Sequence, residues 1–280
     1  TLDDAEAFAQ TLAETLGIHP GYVIPAYEDP FPYIARERSL PENVDPFDSK
    51  LEDEEERERL ARVFERGLGN PIGFVLPVQR WNSRDGARWI SEVWSFRRKR
   101  LCVVPGDSPL GFRLPLEGLP WIPPVWYPYS SPMDPFAPRE PLPDPKPLSQ
   151  VIKQQAAYGA GGRPKRARQV EQPSPDSSGN SVRTALSVEP RDGHLCIFMP
   201  PVDTTDDYVE LVTAIEDTAA TLNTPIRIEG YTPPPDPRLN LIKVTPDPGV
   251  IEVNIHPSHS WAELVEVTTE LYEEARLCRL

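Results

Sequence analysis

Three consecutive pieces decide the fold: HLCIFM (His194–Met199), DDYVELVTAIEDTAATL (Asp206–Leu222) and PIRIE (Pro225–Glu229). The outer two are short apolar or β-branched runs of strand length. The middle one repeats apolar residues at the helical period, with Tyr208, Leu211, Val212, Ile215, Ala219 and Leu222 on one face. Two further strands follow, LNLIKVT (Leu239–Thr245) and VIEVNI (Val250–Ile255), around the tight turn PDPG (Pro246–Gly249). A last helix opens at the capping box Ser260-x-x-Glu263 and runs to about Leu277. The order β-α-β-β-β-α with a hairpin in its middle predicts an α+β fold, an antiparallel sheet backed by amphipathic helices.

Working outward, the N-terminal block predicts a helix over Asp3–Leu16, whose stripe is Ala5, Phe8, Ala9, Leu12 and Leu16 and whose stop is Gly17. A second helix is expected over Glu52–Leu68, its acidic first turn suited to the positive end of the helix dipole. Ile72–Val78, Ala87–Phe96 and Arg100–Val104 read as strands, the last two joined by a turn near Arg97-Arg98-Lys99. Of the 36 prolines, 14 fall between Leu101 and Pro147, interleaved with Trp121, Trp126, Tyr127, Tyr129 and Phe136. Disordered tracts are poor in aromatics, so this is read as an extended strap pinned to a folded surface, the alternative being a partly ordered linker.

Charge divides the 280 residues into three. Residues 1–148, the helix and strand block with its strap, carry net −7; residues 149–192 carry +3; residues 193–280, the α+β block, carry −10. The middle part contains GAGGRPKRAR (Gly159–Arg168) and little apolar surface, which reads as a flexible basic linker. Its acidic neighbours would repel a polyanion, so no nucleic-acid partner is expected. It lacks the GK[ST] ending of a phosphate loop. No window approaches the roughly 18 apolar residues of a spanning helix, so no membrane partner is expected. The start has neither the basic nor the apolar region of a secretory leader. Three widely spaced cysteines, Cys102, Cys196 and Cys278, suit a reducing, cytoplasmic setting. The absence of an initial Met, with helical pattern from the first residues, leads to the expectation of a piece of a longer chain.

The densest candidate for chemistry is Arg238–His259. Alternation on Val250–Ile255 puts Glu252 and Asn254 on one face, an oxygen-donor pair suited to a hard cation such as Mg²⁺. Arg238 and Lys243 are the nearby cations for a phosphate or carboxylate; whether Lys243 shares the Glu252 face depends on hairpin register. Arg80 and Arg113 are further cations, with loop bracing the commoner role. Cys196 lies in a strand of core character, and His256 and His259 sit where capping or packing is expected.

PGVIEV (Pro248–Val253) followed by a long amphipathic helix resembles the metal-binding strand of the glutamine synthetase fold, across roughly the last 90 residues. That resemblance implies a metal-ligand role for Glu252. It departs upstream, where a second acidic ligand is expected and Val244 and Thr245 stand instead, with Asp247 the nearest acid. PAYEDP (Pro25–Pro30), NVDP (Asn43–Pro46), GFVLPVQRW (Gly73–Trp81), PGDSPLGFRLP (Pro105–Pro115), IEGY (Ile228–Tyr231) and Arg238–His256 together resemble a bacterial family of large transglutaminase-like proteins. In that family a domain of unassigned function, related to glutamine synthetase and glutamate–cysteine ligase, follows a transglutaminase-like domain. The resemblance implies part of an ATP- and Mg²⁺-dependent carboxylate–amine ligase acting on a peptide or amino-acid substrate, next to a transglutaminase-like domain, with one wall of the active site in this chain. The alternative is a non-catalytic module that presents substrates to that neighbour, with the strap as docking surface.

Overall fold

The computed structural model describes residues 1–31, 35, 69–83, 86–94, 96, 99–105, 112–119, 139–142, 144, 150 and 182–279. They form two compact units, Thr1–Pro234 and Pro235–Leu280.

The first unit opens with α1 (Leu2–Thr15), where the Thr1 hydroxyl accepts from the Asp4 N–H at 3.3 Å. The expected stripe is the buried one: Ala5, Phe8, Ala9 and Leu12 are inaccessible to solvent. Among the described residues the strands that follow are β1 (Ile24–Glu28), β2 (Gly73–Pro77), β3 (Gln79–Ser83), β4 (Gly86–Ile90), β5 (Leu101–Pro105), β6 (Phe112–Arg113), β7 (Ala185–Arg191) and β8 (His194–Met199). Then come α2 (Thr205–Leu222) and β9 (Ile226–Gly230). Seven strands make one sheet in the order β6-β5-β1-β2-β7-β8-β9, and β3 pairs with β4 in a separate hairpin.

The sheet is mixed, which corrects the expectation of an antiparallel one. β1 runs parallel to β5 and β8 parallel to β9, while the other pairs are antiparallel. The physical reason lies in the connections. α2 carries the chain back along the sheet between β8 and β9, and a helical crossover delivers the next strand parallel. The pairing expected between Ala87–Phe96 and Arg100–Val104 is likewise replaced: β4 turns back on β3 and β5 joins β1.

Alternation along the strands separates two cores. Phe74, Leu76, Leu186, Val188, Leu195 and Ile197 point to the face covered by α1 and α2. Ala26, Val75, Leu101, Val103 and Ala185 point to the other face, where Trp94 and Leu119 cover them. Full burial of a side chain the size of Leu12 or Ile197 contributes about 1.5–3 kcal/mol. Gly73 is required where β2 meets β7: a Cβ there would lie 2.4 Å from the Val188 carbonyl oxygen.

An ion-pair clamp ties the β3–β4 hairpin to α2. Arg80 donates to both carboxylate oxygens of Glu210 at 2.7 Å, and its Nε lies 3.0 Å from Asp207 Oδ1. Trp89 donates to Glu210 at 2.9 Å and its ring sits under the Arg80 guanidinium. On the other face the Trp94 indole donates to the Val182 carbonyl at 2.8 Å, and the Val182 N–H donates to Glu92 at 2.8 Å. Val182–Arg191, within the stretch read as linker, thus enters the middle of the sheet, with β7 between β2 and β8.

The second unit is the hairpin β10 (Lys243–Asp247) and β11 (Val250–Asn254), followed by α3 (Trp261–Leu277). The strand boundary moves from the expected Leu239–Thr245 to Lys243–Asp247, because the turn is the two-residue Pro248-Gly249, with Gly249 at φ +80°. Ser260 caps α3 as expected, accepting from the Glu263 N–H at 3.2 Å; the Glu263 carboxylate reaches the His259 N–H instead of that of Ser260. No residue of α3 is buried.

The expected helix at Glu52–Leu68, the aromatic residues of the strap from Trp121 to Phe136 and the basic cluster Gly159–Arg168 lie outside the described residues. Of the strap, Leu101–Pro105 and Phe112–Arg113 are sheet strands. Among the described residues no helix is long and apolar enough to cross a membrane.

Candidate functional site

The register of the β10–β11 hairpin decides which side chains meet. Lys243 lies opposite Asn254 and Thr245 opposite Glu252. Opposed residues of an antiparallel pair share a face, and residues two apart on a strand do too. Lys243, Thr245, Glu252 and Asn254 therefore occupy one face, and Val244, Ile251 and Val253 the other. The Asn254 amide donates to Glu252 Oε1 at 2.7 Å on this exposed surface.

This face offers oxygen donors: a carboxylate, an amide and, across from the carboxylate, a hydroxyl. They fit Mg²⁺, a hard cation that takes one or two carboxylates and keeps several waters or phosphate oxygens. To serve as a ligand the Asn254 amide would turn its oxygen toward the cation. Among the described residues no three His, Cys, Asp or Glu side chains come together. Val244 and Thr245 stand where the resemblance would place a second acidic ligand.

Arg238 is placed differently. Its Nε and Nη2 donate to Asp236 at 3.0 and 2.8 Å, and its N–H donates to the same carboxylate at 2.9 Å. The Asp236 side chain is fully buried in this pair. Arg238 thereby braces the loop before the hairpin, and its charge is already matched. His259 belongs to the helix cap: its N–H donates to Glu263 at 2.7 Å, the largest of the effects that hold this carboxyl below the usual range. His256 Nδ1 is buried and has no hydrogen-bond partner among the described residues.

In the first unit Cys196 is buried on the strand β8, 3.3 Å from an Arg191 nitrogen. Arg191 also donates to Glu229 on β9. Burial pushes the Cys196 thiol above its usual range, outweighing the neighbouring guanidinium, whereas reactive thiols sit in exposed sites that lower it. Arg80 is consumed by the clamp to Glu210 and Asp207.

The sequence reading missed a cavity of about 460 Å³ on the sheet face opposite α1 and α2. Small residues make its floor: Ala26 lies beside Gly73, and Ser187 lies between Val75 and Phe198. Leu114 and Leu116 form one wall, and Phe198 and Tyr231, in edge-to-face contact at 6.3 Å, form another. Arg113, Arg183 and Glu189 bring charge to it. The signal was present as small residues at strand positions of one face, but β7 had been read as linker, so the row could not be assembled.

A family model described as "Putative amidoligase enzyme (DUF2126)" matches residues 1–280. No curated protein and no solved structure matches the chain.

Proposed function

From the premise that the chain belongs to this amidoligase family, a domain of unknown function, we propose that it is part of an ATP- and Mg²⁺-dependent carboxylate–amine ligase. The observation that carries the reading is the hairpin register, which sets Lys243, Glu252 and Asn254 on one face, with Glu252 and Asn254 2.7 Å apart.

Joining a carboxylate to an amine requires loss of one carboxylate oxygen, which in an ATP-dependent ligase departs as phosphate. The site must therefore hold phosphate oxygens in place and offset charge that grows as the bonds change. Glu252 and Asn254 would hold Mg²⁺, which when bound supplies Lewis-acid neutralisation of phosphate charge. Lys243, opposite Asn254 on the same face, would supply an ammonium for a phosphate or carboxylate oxygen. With Arg238 bound to Asp236, Lys243 carries this role in the hairpin. The glutamine synthetase-like architecture, an adjacent transglutaminase-like domain, a peptide or amino-acid substrate and a cytoplasmic setting belong to the same proposal and rest on the sequence resemblance.

The test is calorimetric titration of the complete protein with Mg²⁺ and a non-hydrolysable ATP analogue, wild type beside Glu252→Ala and Lys243→Ala. Saturable, Mg²⁺-dependent nucleotide binding is expected in the wild type, lost in Glu252→Ala and weakened about tenfold in Lys243→Ala. A well-folded wild type that binds no nucleotide sinks the ligase reading.

A second reading, a non-catalytic module that presents substrate to a neighbouring domain, is favoured by one observation. Trp261 and Tyr272 of α3 are 78% and 74% exposed, and Val244 and Ile251 of the hairpin are exposed as well. Large apolar side chains left on a surface mark interaction sites where they form a continuous patch.

A further inference from the structure

We infer that the segment Gly230–Leu239, in which the first unit ends and the second begins, is a stiff spacer and not a flexible linker. The inference stands apart from the hairpin chemistry and does not rest on the ligase reading.

The sequence supplies the first support. Thr232-Pro233-Pro234-Pro235-Asp236-Pro237 holds four prolines, and the other two residues each precede one. A proline ring locks φ at about −65°, and the residue before a proline is pushed out of the helical region into extended backbone. Every one of the six positions is therefore restricted, in the unfolded chain as in the folded one. Proline-rich runs of this kind act as semi-rigid rods, whereas a segment between two compact units is mobile by default.

Both ends are tied down, each within its own unit. Gly230 follows β8 so closely that a Cβ would lie 2.7 Å from the Met199 nitrogen and 2.8 Å from its oxygen, and its φ is +96°. The Tyr231 N–H donates to the Met199 carbonyl at 3.3 Å, and the Tyr231 ring meets Phe198 edge-on. Further along, the buried Thr205 hydroxyl at the start of α2 donates to the Pro234 carbonyl at 3.2 Å.

At the far end Asp236 opens a turn, closed by the Leu239 N–H on the Asp236 carbonyl at 3.0 Å. Pro237 holds the second position of that turn, where proline is favoured. The Asp236 carboxylate, fully buried, accepts from the Arg238 N–H and from two nitrogens of its guanidinium. Between the tie at Pro234 and the tie at Asp236 stands Pro235, whose φ the ring already fixes. Ordering the segment thus costs little further entropy.

The test measures ¹⁵N relaxation on the complete, deuterated chain at the amides of Thr232, Asp236 and Arg238. Order parameters at the rigid-backbone level of about 0.85 are expected there. Pro233→Gly, Pro234→Gly and Pro235→Gly made together should bring Thr232 and Asp236 below about 0.6, while the amides of β8 and α3 stay as in the wild type. Pro235→Gly alone, at an exposed position, should give a smaller fall at Asp236. Asp236→Ala should loosen Arg238 and leave Thr232 unchanged. The inference is overturned by wild-type values at the flexible level, or by glycine variants whose values match the wild type.

Discussion

The sheet unit, Thr1–Pro234, and the hairpin–helix unit, Pro235–Leu280, are both assembled from amphipathic pieces, yet they dispose of their apolar faces differently. In the sheet unit α1 and α2 close over one face, and Leu12, Leu76, Leu186 and Ile197 lose essentially all contact with water. In the hairpin–helix unit α3 buries none of its residues, and Val244, Val250, Ile251 and Trp261 remain exposed. The comparison teaches that periodicity reports which side of an element is apolar and says nothing of how much surface is at hand to cover it. A piece of about 46 residues is near the size below which a single core rarely closes.

The largest effect that would break this contrast is electrostatic. Arg80→Ala strands Glu210 and Asp207 beside Trp89 and should cost about 3–5 kcal/mol in urea denaturation. Arg276→Ala removes an exposed pair with Glu273 in α3 and should cost at most about 0.5 kcal/mol. Equal losses would mean that the two units are packed alike. Next comes cavity formation. Leu186→Ala, at the centre of the sheet, should lose about 2–5 kcal/mol. Ile251→Ala on the exposed hairpin face should stay within about 0.5 kcal/mol of wild type.

Helix caps should sharpen the comparison by showing no difference. Thr204 accepts from the Asp207 N–H at 3.1 Å in α2, and Ser260 from the Glu263 N–H at 3.2 Å in α3. Thr204→Ala and Ser260→Ala should each cost about 1 kcal/mol, seen as faster amide exchange in the first turn of the affected helix. The smallest effect is the pH dependence that Glu92 gives the sheet unit. Burial raises the Glu92 carboxyl above its usual range, more than the Val182 N–H and Arg183 lower it. The folded state therefore holds this proton more tightly than the unfolded one. Between the ordinary glutamate range and the raised value, stability falls as pH rises. Glu92→Gln should flatten that fall in denaturation midpoints taken across the same pH window.

Much of the fold was legible where a local pattern sufficed. Phe8 and Leu12 at helical spacing, Gly17 as a stop, the strand His194–Met199 and the capping serine of α3 all follow from neighbours within a few residues. Partnership was not legible. Whether Leu101–Pro105 pairs with the preceding strand or with Ile24–Glu28 is decided by a contact some 75 positions away, for which alternation carries no mark. Strand β7 was hidden for a different reason: its segment was assigned by the composition of the basic stretch before it, although ALSV at its start is strand-like. At the hairpin the alternation of Glu252 and Asn254 was readable, whereas the face of Lys243 depended on the turn holding an even number of residues, and the two-residue turn sets it opposite Asn254. A shift of one residue would have moved it to the other face.

The order of strands also has a consequence for how the protein is made. Leu76 pairs with Leu186, 110 positions later, and β7 is the strand through which β1, β2 and β5 join β8 and β9. During synthesis the N-terminal elements wait for that partner, and at ordinary elongation rates the interval is roughly 5–20 s. Through this time the apolar edge of β2 and the stripe of α1 lack their native covering. β7, β8, α2 and β9, by contrast, are near neighbours in sequence and can assemble as soon as they emerge. The late-made half of the sheet is thus the template on which the early-made half settles, and a pause in translation just after β9 would favour correct closure.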